Sequence, residues 1–337
     1  MELKHIYILL SLFVCVGCSH RPSIAFGHQD DVCYGHEWSR LDGDTTYRSC
    51  FHDLTGQYPD LIGFDLGGIE LVEERNLDSV PFTLIQQEII RQDKRGGRVT
   101  ISWHARHPMT GGTAWDTTAC MPMALDTESA VYDTLVAYIS RVAQFMASVP
   151  TTSPLIFRPW HENSGNWFWW GRHACDSTSY QQLWHLTRRI FDDYNVQVEW
   201  VYSPDKLTLY DATPAGALRE MAEFYPGDAY VDIIGTDCYH FGGEEGIDDY
   251  LYRAHRQLSA AASLAEQHHK RLAFTETGNE GIRCAHWYTR VLLPLCHAYP
   301  IEYVHVWRNA WDIETHYYLP YSQHLEQEDF IHFIHQL

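Results

Sequence analysis

One pattern constrains this chain more than any other: eight short apolar runs, each followed by a longer amphipathic stretch. The runs are "SIAFG" (Ser23–Gly27), "LIGFDLG" (Leu61–Gly67), "RVTISWH" (Arg98–His104), "PLIFRPW" (Pro154–Trp160), "VQVEWVYS" (Val196–Ser203), "YVDIIGTD" (Tyr230–Asp237), "RLAFTE" (Arg271–Glu276) and "EYVHVW" (Glu302–Trp307). Between and after them the spacing predicts helices near Thr45–Leu54, Phe82–Lys94, Glu128–Ser148, Tyr180–Tyr194, Pro214–Phe224, Asp248–His269, Ala285–His297 and Gln323–Gln336. In "AVYDTLVAYISRVAQFMA" apolar residues return every three or four positions, which gives a helix one buried face.

Eight strand–helix units in 337 residues are what a (β/α)8 barrel needs. The expected class is α/β, a single (β/α)8 TIM barrel. A doubly wound sheet would show a glycine-rich phosphate turn after its first strand, and "GHQDD" is not one. No repeat or low-complexity linker divides the chain, so residues 19–337 are expected to form one domain.

The opening "MELKHIYILLSLFVCVGCSH" has an apolar run from Ile6 to Val16, too short to span a bilayer and suited to a secretory signal. Gly17-Cys18 resembles a bacterial lipoprotein cleavage site. Residues 1–18 are therefore expected to be a signal peptide ending in a lipidated Cys18, on an exported protein facing the periplasm or the cell surface. Cys33, Cys50, Cys120, Cys175, Cys238, Cys284 and Cys296 follow, without a CxxC pair. They are expected to be buried thiols, or thiols with one or two bridges.

The strand ends name a site without any motif, because the chemistry of such a barrel sits at the C-terminal ends of its strands. They offer His28 and Asp30, then Asp65, Trp103-His104, His161-Glu162, Asp237 with Tyr239, Glu276, and Trp307-Arg308. A net charge of -20 repels phosphates, so nucleic acid is excluded as a partner and a neutral ligand fits. Glu162 and Glu276 end the fourth and seventh strands and can face one another across the mouth. Two carboxyls flanking a small gap are the equipment of a glycosidase. A sugar ring carries an apolar face of C–H groups that stacks on indole, and "NWFWWG" sets Trp167 to Trp170 beside Glu162.

The ordinary alternatives have weight. A lone Glu at a strand end is more often an ion-pair partner than a catalyst. At least half of residues 167–170 are expected to pack the helix onto the barrel, with Trp169 or Trp170 in the core. Arg158 either orients Glu276 and holds it ionised or forms a buried ion pair. "HEWSR" and "HENSG" lack the second His of a zinc-binding HExxH, no GxSxG elbow occurs, and no metal or cofactor is called for.

These segments resemble glycoside hydrolase family 26, chiefly β-mannanases, from "FGHQDDVCYG" to "VWRNAW". The resemblance implies a (β/α)8 barrel with catalytic glutamates at strands four and seven. "RPWHENSGNWFWWG" looks like the acid/base motif, making Glu162 the general acid/base, with His161 and Trp167 as sugar-binding neighbours. "FTETG" resembles the nucleophile motif and gives Glu276. "SWHARHPMTGGTAWD" implies a substrate-binding His104 and Trp115. "GTDCYH" implies Tyr239 on the nucleophile with Asp237 beside it, and "VWRN" implies a stacking Trp307 and a substrate-binding Arg308. Trp160, Asn163 and His107 are local departures that bear on subsite detail. The function implied is a retaining β-1,4-mannanase acting on mannan or manno-oligosaccharides, with exo release of mannobiose as one mode. The alternatives are a β-1,3-xylanase, a mixed-linkage β-glucanase, or a glycan-binding lipoprotein without catalysis. A monomer is expected, touching the membrane only through its lipid.

Overall fold

The computed structural model describes residues 23–337, so the leader-like run and Cys18 lie outside the described residues. Eight parallel strands close into a barrel: β1 (Ala25–Gln29), β2 (Leu61–Asp65), β3 (Arg98–Ser102), β4 (Leu155–Arg158), β5 (Val198–Tyr202), β6 (Ile233–His240), β7 (Arg271–Asn279) and β8 (Ile301–Val306). Each pairs with its neighbours in sequence, and β1 pairs with β8. The single-barrel expectation stands.

Alternation along each strand sorts side chains between the barrel interior and the helical shell. Leu61, Ile156, Val201, Ile233, Ala273 and Tyr303 form a separate buried cluster inside. Their neighbours Ile62, Phe157, Ile234, Phe274 and Val304 belong to the larger core under the helices. At the bottom rim, Arg98 and Arg271 alternate with Glu199 and Glu302 in a ring of ion pairs 2.7 to 3.4 Å long. This closes the end of the barrel opposite the strand termini that carry the site.

Helices fall where the periodicity predicts, with ends set by local chemistry. Phe82–Lys94 forms as expected, while the first helix begins at Cys50 rather than Thr45. There the Ser49 hydroxyl accepts from the His52 N–H and caps the helix. The stretch expected to be one helix from Ala285 splits into a π-helical turn (Tyr288–Leu292) and an α-helix (Leu293–Ala298). Pro294 has no N–H to continue an α-helical ladder across that junction. All seven cysteines of the described residues are unpaired and buried, so the bridges allowed for above do not form. Among the described residues no helix is long and apolar enough to cross a membrane.

Candidate active site

Glu276 owes its position to an irregularity in β7. The β6–β7 register runs in step up to Thr236↔Phe274 and then jumps to Asp237↔Glu276, so Thr275 is an extra residue on β7. Without that bulge Glu276 would follow Phe274 and Thr275 in strict alternation and point into the helical shell. With it, Glu276 turns inward beside Asp237, and Thr277 turns outward to hydrogen-bond Tyr250 of the helix Ile247–His268 at 2.7 Å. The Thr275 hydroxyl pins the bulge by donating to Asp237 Oδ1 at 2.6 Å.

Glu162 reaches the mouth by another device. Trp160 and Glu162 both adopt left-handed backbone, φ 52° and 54°. Such non-glycine conformations cost on the order of 1–3 kcal/mol each and persist where surroundings over-determine them. Here the Trp160 indole donates to Thr187 Oγ1 at 3.0 Å, and the Trp160 carbonyl accepts from Tyr180 at 2.9 Å. The Glu162 N–H donates to the Ser203 carbonyl at 2.8 Å, and Trp170 donates to the His161 carbonyl at 2.8 Å.

The aromatic run divides as its neighbours dictate. Trp169 and Trp170 are fully buried, against Trp160 at 5.4 and 5.5 Å, and Phe168 stacks on Trp170 at 4.5 Å. Only Trp167 turns to the acid, its indole N–H donating to Glu162 Oε2 at 2.6 Å. Its ring lies over Gly165, where a Cβ would come within 2.4 Å of the indole. Three of the four aromatics therefore build the wall and one faces the cleft.

Arg158 joins the two sides. One guanidinium nitrogen donates to Asp237 Oδ2 at 2.7 Å and to Ser203 Oγ at 3.1 Å, while the other pairs with Glu276 Oε1. Tyr239 donates to Glu276 Oε2 at 2.6 Å. A carboxylate held by a guanidinium and a phenol is presented as an anion. Among the described residues no cation pairs with Glu162 in this way. Burial, then the charges of Asp205 and Asp237, push its pKa well above the usual carboxyl range. One oxygen each from Glu162, Asp237 and Glu276 lies within 4.8 Å of the others. The positive charge among them is Arg158.

On the β3 side, His104 Nδ1 sits 2.8 Å from Asp65 Oδ2. Burial would raise the Asp65 pKa, but His104, Ser102 and the Gly67 N–H outweigh it and the net shift is downward. Trp115, about half exposed, stacks on His104 at 5.2 Å, and Trp307 approaches the same ring edge-on at 6.2 Å.

Three of the expected ligand contacts are held by protein partners. Asp237 is fully buried, with both oxygens committed to Arg158 and Thr275, so it anchors the floor instead of facing the cleft. His161 is also buried, under His104, with its Nε2 3.4 Å from His104 Nε2. Burial, His104 and Arg158 hold the His161 pKa well below the usual histidine range. Arg308 is tied to Asp78 Oδ1 at 2.9 Å and remains partly exposed at the rim. Of the first strand's candidates, His28 is buried with Asp31 at 2.9 Å, and Asp30 is buried under Tyr34 at 2.5 Å. Asp205, just beyond β5, was missed; "YSPDK" obeys the same strand-end rule that found the others.

A parallel eight-stranded barrel with two carboxyls opposed across its mouth, from the fourth and seventh strands, defines the class: a glycoside hydrolase. The chain belongs to glycosyl hydrolase family 26, whose model matches residues 11–273. A GH26 β-mannanase from Bacteroides ovatus superposes with a TM-score of 0.84 at 39% identity, covering 92% of this chain and 88% of that one. A mannan endo-1,4-beta-mannosidase from Bifidobacterium adolescentis is 29% identical over 81% of this chain, which spans 27% of that protein's length. A Bacillus subtilis protein of the same name is 28% identical over 76% of this chain and 68% of its own.

Proposed function

We propose that the protein is a retaining β-1,4-mannanase, with Glu276 as nucleophile and Glu162 as general acid/base. The observation that carries this reading is the short gap between an ion-paired Glu276 and a Glu162 with no cation of its own. Inverting enzymes need a wider gap, roughly 6.5–9.5 Å, to lodge a water between the carboxyls. In the first step Glu276 attacks the anomeric carbon as the glycosidic bond breaks, and the Glu162 proton passes to the leaving oxygen. In the second, Glu162, now a carboxylate, takes a proton from water. That water attacks the same carbon, and Glu276 leaves.

Mannan as substrate and endo action are supported by the relatives' names. The test is reducing-sugar release from linear mannan, β-1,3-xylan and mixed-linkage β-glucan, with a product time course on mannohexaose. Fastest release from mannan with mixed early products is expected. A preference for xylan or glucan overturns the substrate, mannobiose alone at early times makes the enzyme exo-acting, and binding without release makes it a glycan-binding protein. Trp307, partly exposed beside His104, is expected to stack on the sugar next to the scissile bond. Trp307→Ala should then lower kcat/KM at least about tenfold, roughly 1.4 kcal/mol of transition-state stabilisation. Unchanged kinetics would assign that ring to packing.

A further inference from the structure

Side chains alternate along β6, so Asp237 and Tyr239 face the mouth and His240 turns outward. Carried one residue past the strand end, the same alternation sets Phe241 on the mouth side. The His240 ring lies against Tyr250 of the helix Ile247–His268, 5.3 Å away and nearly parallel, as that alternation requires. Phe241 is 65% exposed. Among the described residues its ring meets one other, that of Tyr239, at 5.7 Å with 30° between the planes. Tyr239 in turn donates to Glu276 Oε2 at 2.6 Å. Nucleophile, phenol and exposed phenyl therefore follow one another from the cleft floor to its rim.

The turn that carries Phe241 is fastened on both sides of it. Asn279, fully buried at the end of β7, donates its amide to the His240 carbonyl at 3.1 Å and to the Gly242 carbonyl at 2.9 Å. Those carbonyls belong to the residues before and after Phe241. The Asn279 Oδ1 accepts the Cys284 N–H at 3.1 Å, which fixes the amide's orientation. Gly242 turns with φ 126°, a conformation that glycine adopts without a Cβ penalty. Gly246 packs so closely on the His240 ring that a Cβ there would lie 2.8 Å from Nε2. A single exposed apolar side chain is ordinary on a protein surface. This one is presented by a buried amide, beside the hydroxyl that holds the nucleophile.

We propose that Phe241 is a binding platform for the leaving portion of the mannan chain, its ring stacking on the C–H face of a sugar released on the Glu162 side of the cleft. This rests on the mannanase reading above. β4 and β7 carry the two glutamates and divide the rim into two arcs. The arc from β8 round to β3 carries Trp307 and His104, whose rings gather with Trp115 about the sugar that is attacked. The arc through β5 and β6 lies on the other side. There Lys206, just beyond β5, sits over the Trp167 ring, 5.1 Å from its centroid, and Trp167 hydrogen-bonds the general acid. A chain threaded between the glutamates leaves over this second arc, where Phe241 stands. A sugar covering it takes exposed aromatic surface out of water, and a flat ring suits a flat C–H face.

The test compares the wild-type chain with Phe241→Ala on mannohexaose and on β-mannobiosyl fluoride, whose leaving group is a single atom and reaches no platform. On mannohexaose kcat/KM should fall about tenfold, the worth of partly burying one large aromatic side chain. On the fluoride the two chains should match. Phe241→Tyr keeps the flat face and should restore the mannohexaose rate. Phe241→Leu keeps the apolar bulk without the flat face and should lose as much as alanine; it also serves should the alanine variant not fold. Undiminished kcat/KM on mannohexaose, the same loss on both substrates, or full activity with leucine would overturn the proposal. A wild-type chain inert on every β-mannoside would instead overturn the functional reading beneath it.

Discussion

Glu276→Ala should abolish turnover of every β-mannoside, whatever its leaving group, because it removes the atom that forms the glycosyl-enzyme. A fall in kcat of at least roughly 10^4-fold is expected, in line with nucleophile deletions elsewhere. Glu162→Ala should behave differently, because it removes a proton donor and leaves the nucleophile in place. On mannohexaose it should be nearly as damaging. On an aryl mannoside with a good leaving group the first step should survive and the covalent intermediate should accumulate. Azide then separates the roles. With the Glu162 variant it attacks from the face the acid/base guarded and gives the β-azide. With the Glu276 variant it takes the nucleophile's place and gives the α-azide. The opposite pairing of variant and anomer would mean that the two glutamates have exchanged roles.

Arg158→Met should cost stability as well as activity. Arg158 is 2% exposed and neutralises Asp237 and Glu276, themselves fully and nearly fully buried. Removing one partner from such a buried network leaves uncompensated charge and costs roughly 3–5 kcal/mol. The loss should appear as an earlier urea midpoint, with mannan hydrolysis reduced further than the folded fraction accounts for. A variant as stable as the wild type would mean that the two acids carry a shared proton and need no cation. Replacing Glu199 in the bottom ring should be milder, because those side chains are only partly buried and keep contact with solvent, where an ion pair contributes about 1 kcal/mol or less.

Most of the barrel was legible because its strands and helices carry the two periods that sequence can display. All eight strands lie at the apolar runs, though β1 begins two residues later and β6 and β7 run on past Asp237 and Glu276. The strand-end rule brought Glu162, Glu276, His104, Tyr239, Trp307 and Asp65 to one mouth before any coordinates. The Thr275 bulge escaped notice, because one extra residue in a strand leaves no trace in composition and is fixed by pairing across to β6. The left-handed turns at Trp160 and Glu162 were hidden for a related reason: long-range hydrogen bonds hold them, where local propensity would not. His161 was expected to meet ligand as the neighbour of Glu162 in sequence, and Asp237 from the likeness of "GTDCYH". That both are buried against protein partners is a property of the assembled mouth, which no local pattern displays.

The most direct test of the central claim is the anomeric configuration of the first products from mannohexaose, followed by 1H NMR from the moment of mixing. A double displacement by Glu276 and Glu162 releases the β-anomer first, with the α-anomer growing in only as mutarotation proceeds. Initial release of the α-anomer would contradict it, because net inversion requires a water where the structure sets two carboxyls within 4.8 Å.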